Sequence, residues 1–245
     1  MRHLTGPVEA VIFDWGGTLT PWHPIDPIDP WLAYARVAAP TRAAVVAESL
    51  CSAEEARWTR QRNTAGLHGT GPLAELFAEC GVDTDDPRHA AALAAYLDWW
   101  TPHTYADPDA PELLQALRDR GIRVGVLSNT QWPAGHHDQV LARDGLRHLI
   151  DGAVYSSELP VGKPHGDAFR AALDAVNVDD AWRAVFVGDR PYDDVHGAQE
   201  AGMRAILLTH PHHRQDELIP VTTEPDAVVN RLGDVLAIVD EWRTP

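Results

Sequence analysis

The sequence predicts a doubly wound α/β fold, a Rossmann-like parallel sheet covered by helices, with an all-helical domain inserted near its start. Three observations carry this. Short runs rich in β-branched and apolar residues alternate with helical patterns through the second half of the chain. Pro near helix starts and Gly just past helix ends punctuate that alternation. Between residues 21 and 105 the alternation stops and only helical patterns remain. Strands alternating with helices call for a parallel sheet buried on both faces.

The elements follow in order. Val8–Phe13 reads as the first strand, then Arg123–Leu127, Ala153–Tyr155, Ala184–Val187 and Arg204–Leu208. Helical patterns separate the later four: Asp109–Arg120 closed by Gly121, Pro133–Asp144 closed by Gly145, and His165–Val176 opening after Pro164. Asp193–Ala201 stops at Gly202, and Asp234–Trp242 is the last helix. Within the insert, Trp31–Ala39, Thr41–Asn63, Pro72–Cys80 and Arg88–Trp100 read as helices, bounded by proline-rich hinges at 21–27 and 101–103. The division is therefore 1–20 with 106–245 for the α/β core, and 21–105 for the helical domain.

Whole-chain properties narrow the function. At 245 residues the chain can bury one substantial core with a smaller appendage. The first residues carry no apolar signal core, and no stretch reaches the ~18 unbroken apolar residues of a membrane helix. Cys51 and Cys80, the only cysteines, read as buried free thiols and fit a reducing cytoplasm. Thirty-six acidic against 20 basic side chains give a net charge of −16, which argues against a nucleic-acid partner. The same charge would repel an anionic substrate unless cations gather locally. Lys163 is the only lysine, the other 19 basic residues being arginine.

In open parallel sheets ligands bind at the carboxyl ends of the strands. There the sequence places Asp14-Trp15-Gly16-Gly17-Thr18, Ser128-Asn129-Thr130, Gly162-Lys163-Pro164 and Gly188-Asp189-Arg190-Pro191-Tyr192-Asp193-Asp194. Carboxylates at adjacent strand ends make a hard oxygen site suited to Mg²⁺. A hydroxyl with backbone amides at Ser128, and the ammonium of Lys163, can hold phosphoryl oxygens, leaving Asp14 to attack phosphorus. Each segment has a plain structural reading beside this: a turn or cap for Asp14 and Ser128, a helix N-terminus for the acids after Gly188, a solvated loop for Lys163.

Taken together and in order, the four segments resemble the motifs of the haloacid dehalogenase superfamily. The resemblance implies that Asp14 is nucleophile and metal ligand, with the Gly16 carbonyl, Asp189 and Asp194 as further ligands of Mg²⁺. It implies that Ser128 and Lys163 position phosphate, that Gly17, Asn129 and Arg190 contact substrate, and that residues 21–105 form a cap over a small phosphorylated substrate. One position departs from the pattern. Phosphatases of this superfamily usually carry an aspartate two residues after the nucleophile as general acid and base, and here that position is Gly16. Another group could serve (His23, Asp26, Asp29 or a cap residue), the leaving group could need little protonation, or turnover could be slow with a binding role instead. The phosphonate hydrolases of the superfamily need a cap lysine, and there is none here. The metal-free dehalogenases lack the paired acids found around Asp189. A receiver-type signalling domain would be shorter and uncapped.

Outside the motifs, Arg57, Arg60 and Arg62 read as a solvated helix face, with one of them able to reach an anionic group. His136-His137 reads as helix surface, and His210-Pro211-His212-His213 as a solvated loop. Trp31 and Trp99-Trp100 read as packing within the cap.

Overall fold

The computed structural model describes residues 7–210 and 222–243. Its centre is a six-stranded sheet: β1 (Ala10–Phe13), β2 (Arg123–Ser128), β3 (Gly152–Tyr155), β4 (Ala184–Gly188), β5 (Arg204–Leu208) and β6 (Ala227–Val229). Spatial order is β3-β2-β1-β4-β5-β6 and every pairing is parallel. The chain reverses its direction of travel across the sheet at β1, which makes the crevice beside β1 and β4 the expected ligand position.

Alternation along the strands builds two cores. On β1, Val11 and Phe13 face one layer while Ala10 and Ile12 face the other, and all four are fully buried. The first layer receives α5 (Ala110–Asp119), α6 (Ala134–Arg143) and α9 (Val235–Arg243). In α5 the buried set Ala110, Leu113, Leu114 and Leu117 recurs at helical spacing, so one stripe meets the sheet. The opposite layer is α7 (Gly166–Ala175), which buries Ala168, Phe169, Ala172 and Leu173, followed by the short α8 (Gly197–Glu200). Each large apolar side chain so buried contributes about 1.5–3 kcal/mol.

Between β1 and β2 lie α1 (Ile28–Ala38), α2 (Ala43–Asn63), α3 (Leu73–Glu79) and α4 (His89–Trp100), with no strand among them. They share an aromatic centre in which Trp31 tilts against Tyr96 at 4.5 Å and Tyr34 stacks on Phe77 at 5.2 Å. Trp31 is fully buried, as the packing reading requires, and its Nε1 donates to Glu54 at 2.7 Å.

Two readings of surface residues are corrected. Arg57 is 2% exposed rather than solvated: its guanidinium donates to Glu79 and to the Thr70 carbonyl, partners supplied by chain that folds back onto α2. His137 is fully buried, stacked on Tyr155 at 4.3 Å with Nε2 3.1 Å from the Thr130 hydroxyl. Cys51 and Cys80 are both free and half-buried. His212 and His213 lie outside the described residues, whereas the ring of His210 bonds to the Gly17 carbonyl. Among the described residues no helix is long and apolar enough to cross a membrane.

Candidate active site

Four strand ends converge at the crevice. The β1–β4 ladder runs one residue past β1, because the Asp14 amide donates to the Val187 carbonyl at 2.8 Å. That bond fixes the backbone of Asp14 at the sheet rim. The chain then turns back on itself, with the Thr20 amide and hydroxyl both donating to the Trp15 carbonyl.

Within this turn the two glycines differ. Gly17 has φ +85°, and a Cβ there would lie 2.4 Å from Asp189 Oδ2, so backbone conformation and close approach both demand glycine. Gly16 is exposed, and a Cβ there would meet nothing within 4 Å.

At the end of β4 comes Asp189, then Arg190 and a wide π-helical turn, Pro191–His196, that leads into α8. Such turns often mark functional sites because they shift the direction of a side chain within a helix. Here the turn carries Asp193 and Asp194. A Cβ on Gly188 would lie 2.4 Å from the Asp194 carboxyl carbon, so glycine at the strand end admits that side chain. The Arg190 amide donates to Asp194 Oδ2 at 2.9 Å.

Lys163 closes the arrangement. Its ammonium is 2.6 Å from Asp14 Oδ1 and 2.7 Å from Asp194 Oδ1, and the residue is 2% exposed. Asp14, Asp189 and Asp194 are all buried, and each offers an oxygen within 4.8 Å of the others'. Burial pushes the Asp14 carboxyl up to about 7; Lys163 pulls against that shift, while Asp194 and Asp189 add to it. Burial also opposes the charge on Lys163, but Asp14 and Asp194 outweigh it and hold the ammonium above its ordinary range. Asp193 is raised to about 6 by burial against the pull of Arg190, whose half-exposed guanidinium lies 3.8 Å away.

Three buried carboxylates against one buried ammonium leave an excess of negative charge in a dry place. That oxygen set fits a hard divalent cation such as Mg²⁺, which would offset both the burial and the added repulsion that disfavour the Asp14 charge.

The remaining sequence-derived candidates fall around this cluster. Ser128 ends β2 and is buried at the rim. Asn129 has both ends of its amide engaged: Oδ1 accepts from the Lys163 amide at 2.8 Å, and Nδ2 donates to the Lys163 carbonyl at 2.9 Å. Its side chain thus supports Lys163, and only its backbone is left to face a substrate. Of the substitutes for the missing acid, His23 faces His103 at 5.3 Å and Asp26 accepts from the Ile28 amide. Among the described contacts of His23, Asp26 and Asp29, none reaches Asp14.

Sequence reasoning did not single out Gln61, Gln131 or Glu54. Gln61 donates to the Lys163 carbonyl and Gln131 to Glu54. A signal existed: Ala47, Leu50, Arg57 and Gln61 recur at helical spacing on α2, a buried stripe half of which is polar and so escapes a search for apolar periodicity.

Comparison with known proteins adds the following. Residues 8–202 match the family model described as haloacid dehalogenase-like hydrolase. A phosphoglycolate phosphatase from Rhodospirillum rubrum is 34% identical over 84% of this chain and 82% of its own length. A phosphoserine phosphatase from Thermus thermophilus is 32% identical over 75% of this chain and 73% of its own. Among solved structures, a HAD phosphatase from Thermococcus onnurineus superposes with a TM-score of 0.69 over 97% of this chain and 100% of its own, at 20% identity. That last likeness concerns the fold.

Proposed function

The chain belongs to the haloacid dehalogenase-like hydrolases, and from that membership we propose that it is a Mg²⁺-dependent phosphatase of small phosphorylated metabolites. The observation that carries the reading is the buried Asp14, bonded to Lys163 and grouped with Asp189 and Asp194 at the carboxyl rim of the sheet. The names of the relatives, which act on phosphoglycolate and phosphoserine, support the substrate class.

Asp14, Asp189, Asp194 and the Gly16 carbonyl would hold the metal, whose charge neutralises the phosphoryl group as it is transferred. The Asp14 carboxylate attacks phosphorus in line, forming an O–P bond while the ester O–P bond breaks, and the alkoxide oxygen leaves with the bonding pair and takes a proton from water. Water then attacks phosphorus of the aspartyl-phosphate, releasing inorganic phosphate and restoring the carboxylate. Lys163 orients Asp14 and favours its ionised form against the burial that raises its pKa. The Ser128 hydroxyl and Lys163 position phosphoryl oxygens, with the Gly17 and Asn129 backbone against the substrate. Arg190, half-exposed beside the cluster, is the cation an anionic substrate meets first. Residues 21–105 form a cap on the core made of 1–20 and 106–245.

Gly16 leaves the departing oxygen without the usual proton donor, so the preferred substrates are those whose leaving group is already a weak base, such as sugar 1-phosphates and acyl phosphates. The test is a panel of these and of ordinary 6-phosphates, assayed with and without Mg²⁺, together with Asp14→Asn. Phosphate release that requires Mg²⁺ and disappears in a folded Asp14→Asn variant is expected. Undiminished release by that variant refutes the mechanism, and silence across the panel refutes the activity.

A further inference from the structure

We propose that Gln61, on the inserted helix α2, is a positioning residue for Lys163 and thereby makes the helical insert part of the machinery that aims the nucleophile. The proposal rests on the reading of Asp14 and Lys163 given above.

Lys163 can bridge Asp14 and Asp194 only if its backbone is held while its side chain is stretched between two carboxylates. The core supplies one hold, the two-sided grip of Asn129. The second comes from 102 residues earlier in the chain, where Gln61 Nε2 donates to the same Lys163 carbonyl at 3.0 Å. The orientation of the Gln61 amide is forced, because turning it over would set oxygen against oxygen. Gln61 is 3% exposed, and its Oε1 is buried without a hydrogen-bond partner. A buried acceptor left unmade carries a desolvation cost that an apolar side chain of the same length would avoid. Stability alone therefore does not account for glutamine here; its donor does.

Neighbouring contacts show that this is a built seam. The Gly162 amide donates to the Gly66 carbonyl at 2.8 Å and the Gly69 amide to the Pro160 carbonyl at 3.0 Å. The Thr70 hydroxyl donates to the Thr130 carbonyl at 3.0 Å, and the Leu73 amide to the Gln131 carbonyl at 3.0 Å. A Cβ on Gly66 would lie 2.1 Å from the Gly162 carbonyl oxygen, so the two backbones approach as closely as glycine allows. Residues 61–73 are thus laced to the segment that follows Ser128 and to the loop that carries Lys163. Any displacement of α2 is felt at the Lys163 carbonyl.

The test uses the full chain with p-nitrophenyl phosphate and saturating Mg²⁺, reading kcat, KM and the thermal midpoint. Gln61→Met keeps the length and removes the donor; kcat should fall about tenfold, with KM within about twofold and the midpoint not lowered. Gln61→Glu is the closer match in shape but turns an acceptor toward the carbonyl, and kcat should fall further. In a Lys163→Met background, Gln61→Met should change kcat no further, because there is no ammonium left to aim. If Gln61→Glu is milder than Gln61→Met, or if Gln61→Met costs the same factor with and without Lys163, the residue only packs and the inference is overturned. A Lys163→Met variant of full activity would instead overturn the reading on which it rests.

Discussion

Replacing Gly16 by aspartate should restore to this site the proton donor it lacks. Room is available: the position is exposed, its φ is ordinary, and a Cβ would meet nothing within 4 Å. The peptide carbonyl is unchanged by the substitution. A positioned general acid contributes roughly 10²–10⁴-fold, or about 3–5 kcal/mol of barrier. The lower end applies here, because the position is open and no neighbour would hold the new carboxyl in place. Repulsion from Asp14, Asp189 and Asp194 favours the protonated form a donor needs. The expected gain is therefore about 10²-fold in kcat/KM for a phosphate ester of a simple alcohol. Little change is expected for p-nitrophenyl phosphate, whose leaving group needs no proton. Steady-state kinetics on the two substrates, with Gly16→Ala as control, measures the difference. An equal gain on both, or no gain on the alcohol ester, refutes the argument. Gly17→Ala, one residue on, should be disabling, since its Cβ would strike Asp189 Oδ2 and its φ is left-handed.

Two further outcomes follow from the same charges and contacts. Asp14 and Asp193 have folded-state pKa values of about 7 and about 6, above their ordinary value of 3.8. Their favourable contribution is complete below about pH 4 and is lost as pH rises through those values, while buried His137, pushed down to about 3, acts in the opposite sense. Between pH 5 and pH 8 the metal-free protein should therefore lose more of its midpoint than an Asp14→Asn variant, in which the His137 contribution is unchanged. Mg²⁺ at a hundred times its Kd adds about 2.7 kcal/mol, and its shift of the midpoint should be larger at pH 8; a midpoint independent of both pH and Mg²⁺ would contradict the carboxylate cluster. Arg57→Ala removes a buried guanidinium from Glu79 and orphans the Thr70 carbonyl, which should cost roughly 2–3 kcal/mol in urea unfolding. A change below a few tenths would return Arg57 to the solvated face that its sequence suggested.

The core strands and the acids at their ends were legible because both signals are local. A β-branched run and a carboxylate just past it need no knowledge of the rest of the chain. Lys163 stood out for another reason, being the only lysine in a strongly acidic sequence. Strand β6 was not legible: it is three residues long, pairs only with β5, and leaves Val228 half-exposed, too short for any periodicity. The helix expected at Asp193 begins two residues earlier as a π-helical turn, because Gly188 and the Arg190 amide draw Asp194 inward. Arg57, His137 and Gln61 were misjudged or missed for one shared reason. Their partners lie outside the helix that carries each of them (Thr70 and Glu79 for Arg57, Thr130 and Tyr155 for His137, Lys163 for Gln61), and a polar residue looks solvated until the chain that satisfies it is in place.

The order of the strands bears on how this protein is made. β1 lies in the middle of the sheet, yet its first partner, β2, begins at Arg123, and its second, β4, at Ala184. During synthesis Asp14 emerges and then waits while more than a hundred residues are added before its partner strands are in place. Asp14 and Lys163 stand 149 positions apart. Closing such loops is slow, and the buried acids cannot gather until the sheet is nearly whole. No fragment ending before β4 can possess the carboxylate trio. Were the trio to bind a divalent cation as proposed, the appearance of that binding in a refolding experiment would date the joining of β4 to β1, and the cluster would report a sheet complete through β4.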